Sequence, residues 1–474
     1  MTIALRQRPL ARVVQGIVQA GAGCWLDPSD MSTLYQDAAG TIPVTAVEQP
    51  VGLMLDKARG LMLGPEKIIN GDFSTPANWT LNGASITTGR LDFNASATQY
   101  IAFQDNGLNY FAVGRSYVVE LDYSTNVNAN VYIDGNNAGT IPPGVGHFKC
   151  IYKALSTVNG RLQINTQAAG VGWIDNISAR ELYGYHATQS VTASRPVLSA
   201  RKNVLLATET LATQSVTSVA AQYTLSFTGT GSVTLSGTAT GTLTGTGVND
   251  RVSLTVTPTA GTLTLTVSGS VTKAQLELGT SAGPYQRVDT ATDYDTDERY
   301  FPKYLRFDGI DDYMNLPYMG LYANGSASVV LAANCISSSS DILTETSSTN
   351  GSPMYRLRQA DLSSKHFVYR NDASVQVIMS ATTSPTNTKR ITSFVDSGSM
   401  YSIYDGSISN SSSYSRTQTT LNTTTVCARV YNGGISDSFT KMNIYGLLIT
   451  KSALSDAQRI QCERLLARKA GVTL

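Results

Sequence analysis

Charge is scarce in this sequence. Asp, Glu, Lys and Arg make up 15% of the 474 residues, and 35 basic against 34 acidic side chains leave a net charge of +1. With no excess of one sign to hold it on a polyanion or an acidic lipid surface, no nucleic acid is expected as a partner. Long apolar runs are missing too: none nears the roughly 18 residues of a transmembrane helix, so no membrane insertion is expected. The cysteines Cys24, Cys150, Cys335, Cys427 and Cys462 lack the short paired spacings of a zinc site or a disulfide framework and are expected as free buried thiols. The histidines His147, His186 and His366 fall in no metal-ligand spacing, and no G-x-S-x-G, P-loop or H-E-x-x-H motif occurs. The chain is therefore expected to bind or to scaffold and not to be an enzyme, although two carboxylates meeting across sheets would leave no linear trace. Near the start, Arg6, Arg8 and Arg12 precede Ala20-Gly21-Ala22-Gly23-Cys24 in the manner of a lipoprotein signal. Gln15, Gly16 and Gln19 interrupt the apolar run, so no signal peptide is expected.

What fills the space is Thr, Ser, Gly and Tyr, residues of pleated surfaces and tight turns. The fold class is all-β, and the length implies two to four compact units. Residues 1–64 carry mixed helix and turn signals. From Ile68 to Tyr183 strands and Asn/Gly turns dominate: Tyr117–Tyr123 and Ala129–Ile133 are expected to pair, and Asp134-Gly135 marks a turn. Between 203 and 290 apolar residues alternate with Thr and Ser, as in Leu225/Phe227, Val233/Leu235, Val252/Leu254/Val256 and Leu263/Leu265/Val267, which gives each strand one buried face. The last segment closes with a helix, capped by Ser455 and Gln458 and ended by Gly471.

Ile69-Asn70-Gly71-Asp72-Phe73-Ser74, Asn78-Trp79 and Trp173-Ile174-Asp175-Asn176-Ile177 resemble the opening and closing strands of family 4/9 carbohydrate-binding modules, which are β-jelly rolls. Asn203-Val204-Leu205-Leu206, Ala274–Gly279 and Tyr285-Gln286-Arg287 are a looser version of the same frame. Trp25–Asp30, Gln36–Gly40, Gln49–Gly52, Leu55-Asp56-Lys57, His186–Gln189, Ser194–Leu198, Leu305–Gly309, Asp311-Asp312, Gly446–Ile449 and Ala453–Asp456 resemble a bacteriophage tail or prophage structural family with a concanavalin A-like, laminin-G-like sandwich. The two resemblances imply one discontinuous lectin-like sandwich, of residues 25–64, 184–202 and 291–474, interrupted by a jelly roll at 65–183 and a Thr-rich β-sandwich spacer at 203–290. Residues 1–24 are then the expected virion-attachment segment.

Sugar recognition needs flat aromatic faces beside amide, carboxylate and guanidinium groups. Trp79, Tyr100, Tyr110, Tyr123 and Tyr132 supply the aromatics in the first insert, with about half expected in its core. In the lectin-like part Tyr401, Tyr404 and Tyr414 flank Asp405-Gly406, with Tyr369 and Arg370 upstream; the competing role is cross-strand Tyr pairing. No cofactor is required. The module resemblance implies a structural calcium held by Asp72 and Asp175, against ordinary turn carboxylates, whereas the acidic run at 293–298 is expected to be a solvated linker. The resemblance further implies a virion tail fibre or tail-tip receptor-binding protein, a homotrimer made in the host cytoplasm, whose partners are other tail or baseplate proteins and host surface glycan. A purely structural baseplate, collar or capsid decoration protein and a polysaccharide depolymerase are the alternatives.

Overall fold

The computed structural model describes all residues except 1, 46, 48, 106, 108–109, 156–159, 201–202, 219, 284, 289–301, 336–339, 348–353, 361–364, 373–374, 377–388, 406–407, 414–420, 432–433, 436–437 and 473. The fold is all-β, with two α-helices among the described residues, α1 (Thr2–Ala20) and α2 (Asp456–Ala470). The chain divides into two compact units: Met1–Ser199 with Tyr304–Ala467 and Leu474, and Ala200–Lys303 with Arg468–Thr473.

Strands from three separated stretches of sequence build one large sandwich in the first unit. One sheet runs Val197–Ser199, Tyr304–Asp308, Lys441–Thr450, Ala327–Cys335, Lys389–Asp396, Met400–Asp405, Ile408–Ser413, and Cys24–Leu26 also pairs with Lys441–Thr450. The facing sheet begins Leu34–Tyr35, Leu53–Met54, Ala187–Thr188, Met314–Leu316, Thr423–Val426 and continues through Ser340–Thr346 to Val375–Gln376. Leu26, Met54, Phe307, Leu331, Phe394 and Leu447 belong to the core of this sandwich.

Within the same unit the stretch Leu63–Leu182 folds as a second, smaller sandwich. Its five-stranded sheet has the order Asn136–Ile141, Ala129–Ile133, Arg161–Thr166, Gln99–Asp105, Thr80–Leu81. Its six-stranded sheet runs Gly144–Lys153, Ser116–Thr125, Gly170–Leu182, Arg90–Ala95, Ala84–Thr87, with Leu63–Glu66 also paired to Gly170–Leu182. Strict alternation places Leu162, Ile164 and Thr166 inward and Arg161, Gln163 and Asn165 outward. The expected pairing of Tyr117–Tyr123 with Ala129–Ile133 does not occur, because these strands enter opposite sheets. Asp134-Gly135 does make a hairpin, to Asn136–Ile141, and both turn residues take positive φ (48° and 82°), the geometry that suits the twist of paired strands.

In the second unit a four-stranded sheet (Gln214–Ser218, Gly261–Ser268, Ser232–Gly237, Gly241–Thr244) faces a three-stranded one (Gly247–Val256, Tyr223–Gly229, Val271–Leu278). The alternation expected from the sequence is realised, with Leu225, Phe227, Val233, Leu235, Leu263 and Leu265 buried. Hydroxyls pair across the strands, Thr224 with Thr255 at 3.0 Å and Thr228 with Thr272 at 3.0 Å. Asn203 ties the ends of the module: its Nδ2 donates to the Ala274 and Gln286 carbonyls, and its Oδ1 accepts from the Leu205 and Leu276 amides.

The glycine-rich stretch after α1 serves close packing. A Cβ on Gly23 would stand 1.9 Å from the Ile449 carbonyl oxygen, so only glycine lets the chain lie against Lys441–Thr450. At the other end Gln458 N–H donates to Ser455 Oγ (3.4 Å) and Ser455 N–H to Gln458 Oε1 (3.1 Å), the reciprocal cap expected from the sequence. All five cysteines are free and buried.

The base of the smaller sandwich is held by one carboxylate. Asp56 Oδ1 accepts the amides of Trp25 and Ala58, each at 2.8 Å, and Oδ2 accepts that of Tyr185 at 2.8 Å. The Asp56 amide in turn donates to His186 Nδ1 at 3.0 Å, which leaves Nε2 to donate to the Leu182 carbonyl at 3.1 Å. Burial holds the imidazole below its ordinary basicity, in keeping with this neutral tautomer. Asp56→Ala would orphan three buried donors and is expected to cost roughly 3 kcal/mol or more, read as a lower urea midpoint of the first unit. Asp56→Asn, which keeps one acceptor, is expected to lose less; an unchanged midpoint in Asp56→Ala would show the clasp to be dispensable.

Candidate functional site

The outer face of the five-stranded sheet gathers two of the aromatics singled out in the sequence. Register places Tyr132 opposite Gln163 and Asn130 opposite Asn165 on one side, and Gln163 opposite Phe103 and Asn165 opposite Tyr100 on the other. Tyr100 is 38% exposed and Tyr132 half-buried. Between them lies a row of amides that order one another. Gln163 Nε2 donates to Asn165 Oδ1 (2.6 Å), Asn130 Nδ2 to the Tyr132 hydroxyl (3.3 Å), and Asn130 Oδ1 accepts from Thr140 Oγ1 (2.8 Å) and Gln167 Nε2 (2.7 Å). At the margin Arg161 grips Asp105 through two bonds, 2.7 and 2.8 Å, and lays its guanidinium 4.1 Å from the Phe103 ring centroid. Fixed amides flanked by aromatic rings can hydrogen-bond the hydroxyls of a sugar and cover its apolar face without ordering side chains anew.

The other candidates go elsewhere. Trp79 is 8% exposed, its ring 5.0 Å from that of Phe73 and its Nε1 donating to the Asn70 carbonyl at 3.0 Å. Tyr123 is likewise core. Tyr110 uses its hydroxyl on the Lys67 carbonyl, with the Lys67 ammonium 5.0 Å from its ring. Tyr401, 1% exposed, stacks on Tyr355 in the large core. Tyr404 is covered by the Arg459 guanidinium of α2, 3.8 Å from its centroid. Trp79 and Tyr401 are therefore packing residues and no platform for a ligand: their alternation in sequence marks a face but not which of the two faces is inside. Tyr369 and Arg370 lie in the strand Lys365–Asp372, with side chains outside the described residues, as is all of Tyr414 and the acidic run at 293–298.

Asp72 is exposed and accepts from Ser74 Oγ at 3.1 Å. Asp175 is raised by burial first and then by Asp122 and Asp72 nearby. Among the described residues these carboxylates do not join a set of three close ligands. Such a set occurs instead at Asp308, Asp311 and Asp312, whose carboxylate oxygens lie within 4.8 Å of one another. Asp308 Oδ1 accepts the amide of Ile310, Asp312 Oδ2 that of Asp308, and Asp311 Oδ2 the hydroxyl of Ser194. Oxygen ligands of this kind suit a hard divalent cation, and equally they order the turn that leads out of Tyr304–Asp308.

No protein-family model and no curated protein matches the chain. Among solved structures it is similar to a mutant of NanB sialidase from Streptococcus pneumoniae (15% identity, TM-score 0.30, 33% of this chain and 26% of that one). It is also similar to the CBM40 of Ruminococcus gnavus IT-sialidase bound to alpha2,3 sialyllactose (11%, TM-score 0.27, 29% and 82%) and to Trypanosoma rangeli sialidase (11%, TM-score 0.27, 36% and 28%). The chain thus spans about a quarter of the sialidase chains. Because sialidases stand among these structures, the expectation that the chain is not an enzyme is withdrawn.

Asp312 gives the acidic turn a measurable signature. Burial, then Asp308 and Asp311, push its carboxyl from the ordinary 3.8 up to about 7, against the bond from the Asp308 amide and the charge of Arg306. A carboxyl raised in the folded state binds its proton more tightly there than in the unfolded chain. Its contribution to stability is therefore full below pH ~4 and is lost as pH rises to about 7. Asp312→Asn should leave stability nearly unchanged at pH 4 and raise it increasingly up to pH 7, with a plateau beyond. A difference independent of pH in urea titrations would contradict this.

Proposed function

We propose that this protein is a carbohydrate-binding protein that uses the outer face of the five-stranded sheet, with Tyr100 and Tyr132 as the aromatic contacts, Gln163 and Asn165 as the hydroxyl-reading amides and the buried Asn130 as the amide that holds the Tyr132 hydroxyl. The observation that carries the proposal is the register that puts those five side chains on one face, where Asn130 bonds the Tyr132 hydroxyl and Gln163 bonds Asn165. A flat, pre-ordered face of this type suits an extended glycan chain more than a small enclosed ligand. The setting we infer is attachment to host surface glycan by a bacteriophage tail fibre or tail-tip protein acting as a homotrimer, and it rests on the resemblance of the blocks within 25–64, 184–202 and 291–474 to a bacteriophage tail or prophage structural family.

Binding of the full chain to a glycan array and to whole cells tests the face. Tyr132→Ala and Gln163→Ala are each expected to weaken binding about tenfold or more, since a stacked ring or a bonded amide carries on the order of 1–3 kcal/mol, with the fold intact by circular dichroism. Saturable binding that neither substitution alters would place the ligand elsewhere. Release of sugar from the bound glycan, measured in the same samples, separates adhesion from depolymerisation. Labelling the chain on virions tests the setting, and a chain that enters particles yet binds no glycan would favour a purely structural component.

A further inference from the structure

A concavity of about 870 Å³ opens within the first unit, where the smaller sandwich meets the large one. Its floor is set by Ile151, which packs with Leu53, Leu55, Val118 and Leu182, and whose amide donates to the Ala39 carbonyl at 2.6 Å. Gly40, at φ 64°, passes so close that a Cβ there would lie 3.0 Å from that of Ile151. Period two along Gly144–Lys153 puts Lys149, Ile151 and Lys153 on the same outer face, so the residue that follows the buried contact is a lysine at the rim of the cavity. Tyr318, 37% exposed, lines the cavity from the large sandwich together with Asn315 and Asn422.

The charge of the lining is one-sided. Arg59, Arg115 and Lys153 line the cavity, and no Asp or Glu is among its described lining residues. This asymmetry stands out in a chain whose net charge is +1. Arg115 is partly matched by Glu181 at 3.4 Å, and Arg59 lies over the Tyr183 ring at 5.9 Å. Lys153, half-buried, has no ion pair or side-chain hydrogen bond among the described residues, and burial alone lowers its basicity. A desolvated ammonium without a counter-charge is unfavourable in the empty site, and an anion placed beside it removes that penalty. Tyr318 stays protonated at neutral pH, its phenol pushed up to about 12 by burial and then by Glu345, so it offers both a donor and an acceptor.

We propose that this cavity is a second binding site, separate from the sheet face, that takes an anionic saccharide with Lys153 as its charge partner, Arg115 as its supporting cation and Tyr318 as its ring contact. A carboxylate on a sugar acid and a sulfate or phosphate ester on a neutral sugar share the chemistry that these groups meet.

An array carrying neutral, carboxylated and sulfated oligosaccharides of matched length, probed with the full chain at low and at high salt, tests the assignment and tells the anion sources apart. The wild-type chain is expected to prefer one or both anionic sets, with the preference falling as salt rises. Lys153→Met should reduce that preference about tenfold without lowering the urea midpoint, because it removes a desolvated charge and keeps the apolar stem. Lys153→Arg should retain the preference, and Tyr132→Ala should leave it in place. If anionic and neutral glycans bind alike and Lys153→Met is silent, the second site is overturned while the sheet face stands. If anionic binding disappears in Tyr132→Ala and survives in Lys153→Met, the anion belongs to the sheet face and the cavity assignment fails. Absence of all glycan binding would overturn both.

Discussion

Everything in the first unit depends on how the chain leaves the large sandwich and comes back to it, and that passage is closed by the Asp56 carboxylate. Three backbone amides from three different segments converge on it, and its own amide donates to His186, the residue before the returning strand Ala187–Thr188. A buried carboxylate is costly, and burial holds this one above its ordinary pKa; the three donors offset part of that cost while fixing the register of Cys24–Leu26, the exit at 56–58 and the return at 185–186. Gly184, with φ 147° and the Asp56 side chain 3.0 Å from where a Cβ would be, completes the closure. Once these ends are fixed, Leu63 faces Leu182, Ile151 meets Leu53, and the smaller sandwich has one place to sit.

Much of this was legible in the sequence, and the legible part is local. Alternation gave the strands of Arg161–Thr166 and of the Thr-rich module, Asp134-Gly135 gave a hairpin, and Ser455 with Gln458 gave the start of α2. The misread pairing of Tyr117–Tyr123 shows where locality ends: strands joined by only the three residues 126–128 still part into opposite sheets, and nothing in the alternation of either strand says so. The aromatics divide on the same ground. Tyr100 and Tyr132 came out on an exposed face, and Trp79 and Tyr401 in cores, because a period of two does not say which side meets the other sheet. Asn130, Gln163 and Asn165 were not singled out, although the polar residues at every second position of Arg161–Thr166 were the available signal. The residues around the cavity come from strands and loops far apart in sequence, and no spacing could have joined them.

The two candidate binding surfaces differ in physical kind. On the sheet face the polar groups satisfy one another, so a ligand must exchange bonds that already exist and gains chiefly from the geometry with which they are held. In the cavity the dominant feature is an uncompensated cation, so a ligand gains from charge that the fold leaves unmatched. Shape-led recognition on one surface and charge-led recognition on the other would respond differently to ionic strength even within one molecule.

The clasp at Asp56 has a mechanical consequence. Asp56 and Tyr185 are 129 residues apart in sequence yet are joined by a single hydrogen bond, and the strands Leu63–Glu66 and Gly170–Leu182 pair just beyond it. Tension pulling the chain apart on either side of the smaller sandwich would therefore be borne by that short junction, while the strands that carry Tyr100 and Tyr132 lie off the line of force. A surface that grips a ligand while the rest of the chain is under load keeps its shape only if it is bypassed in this way.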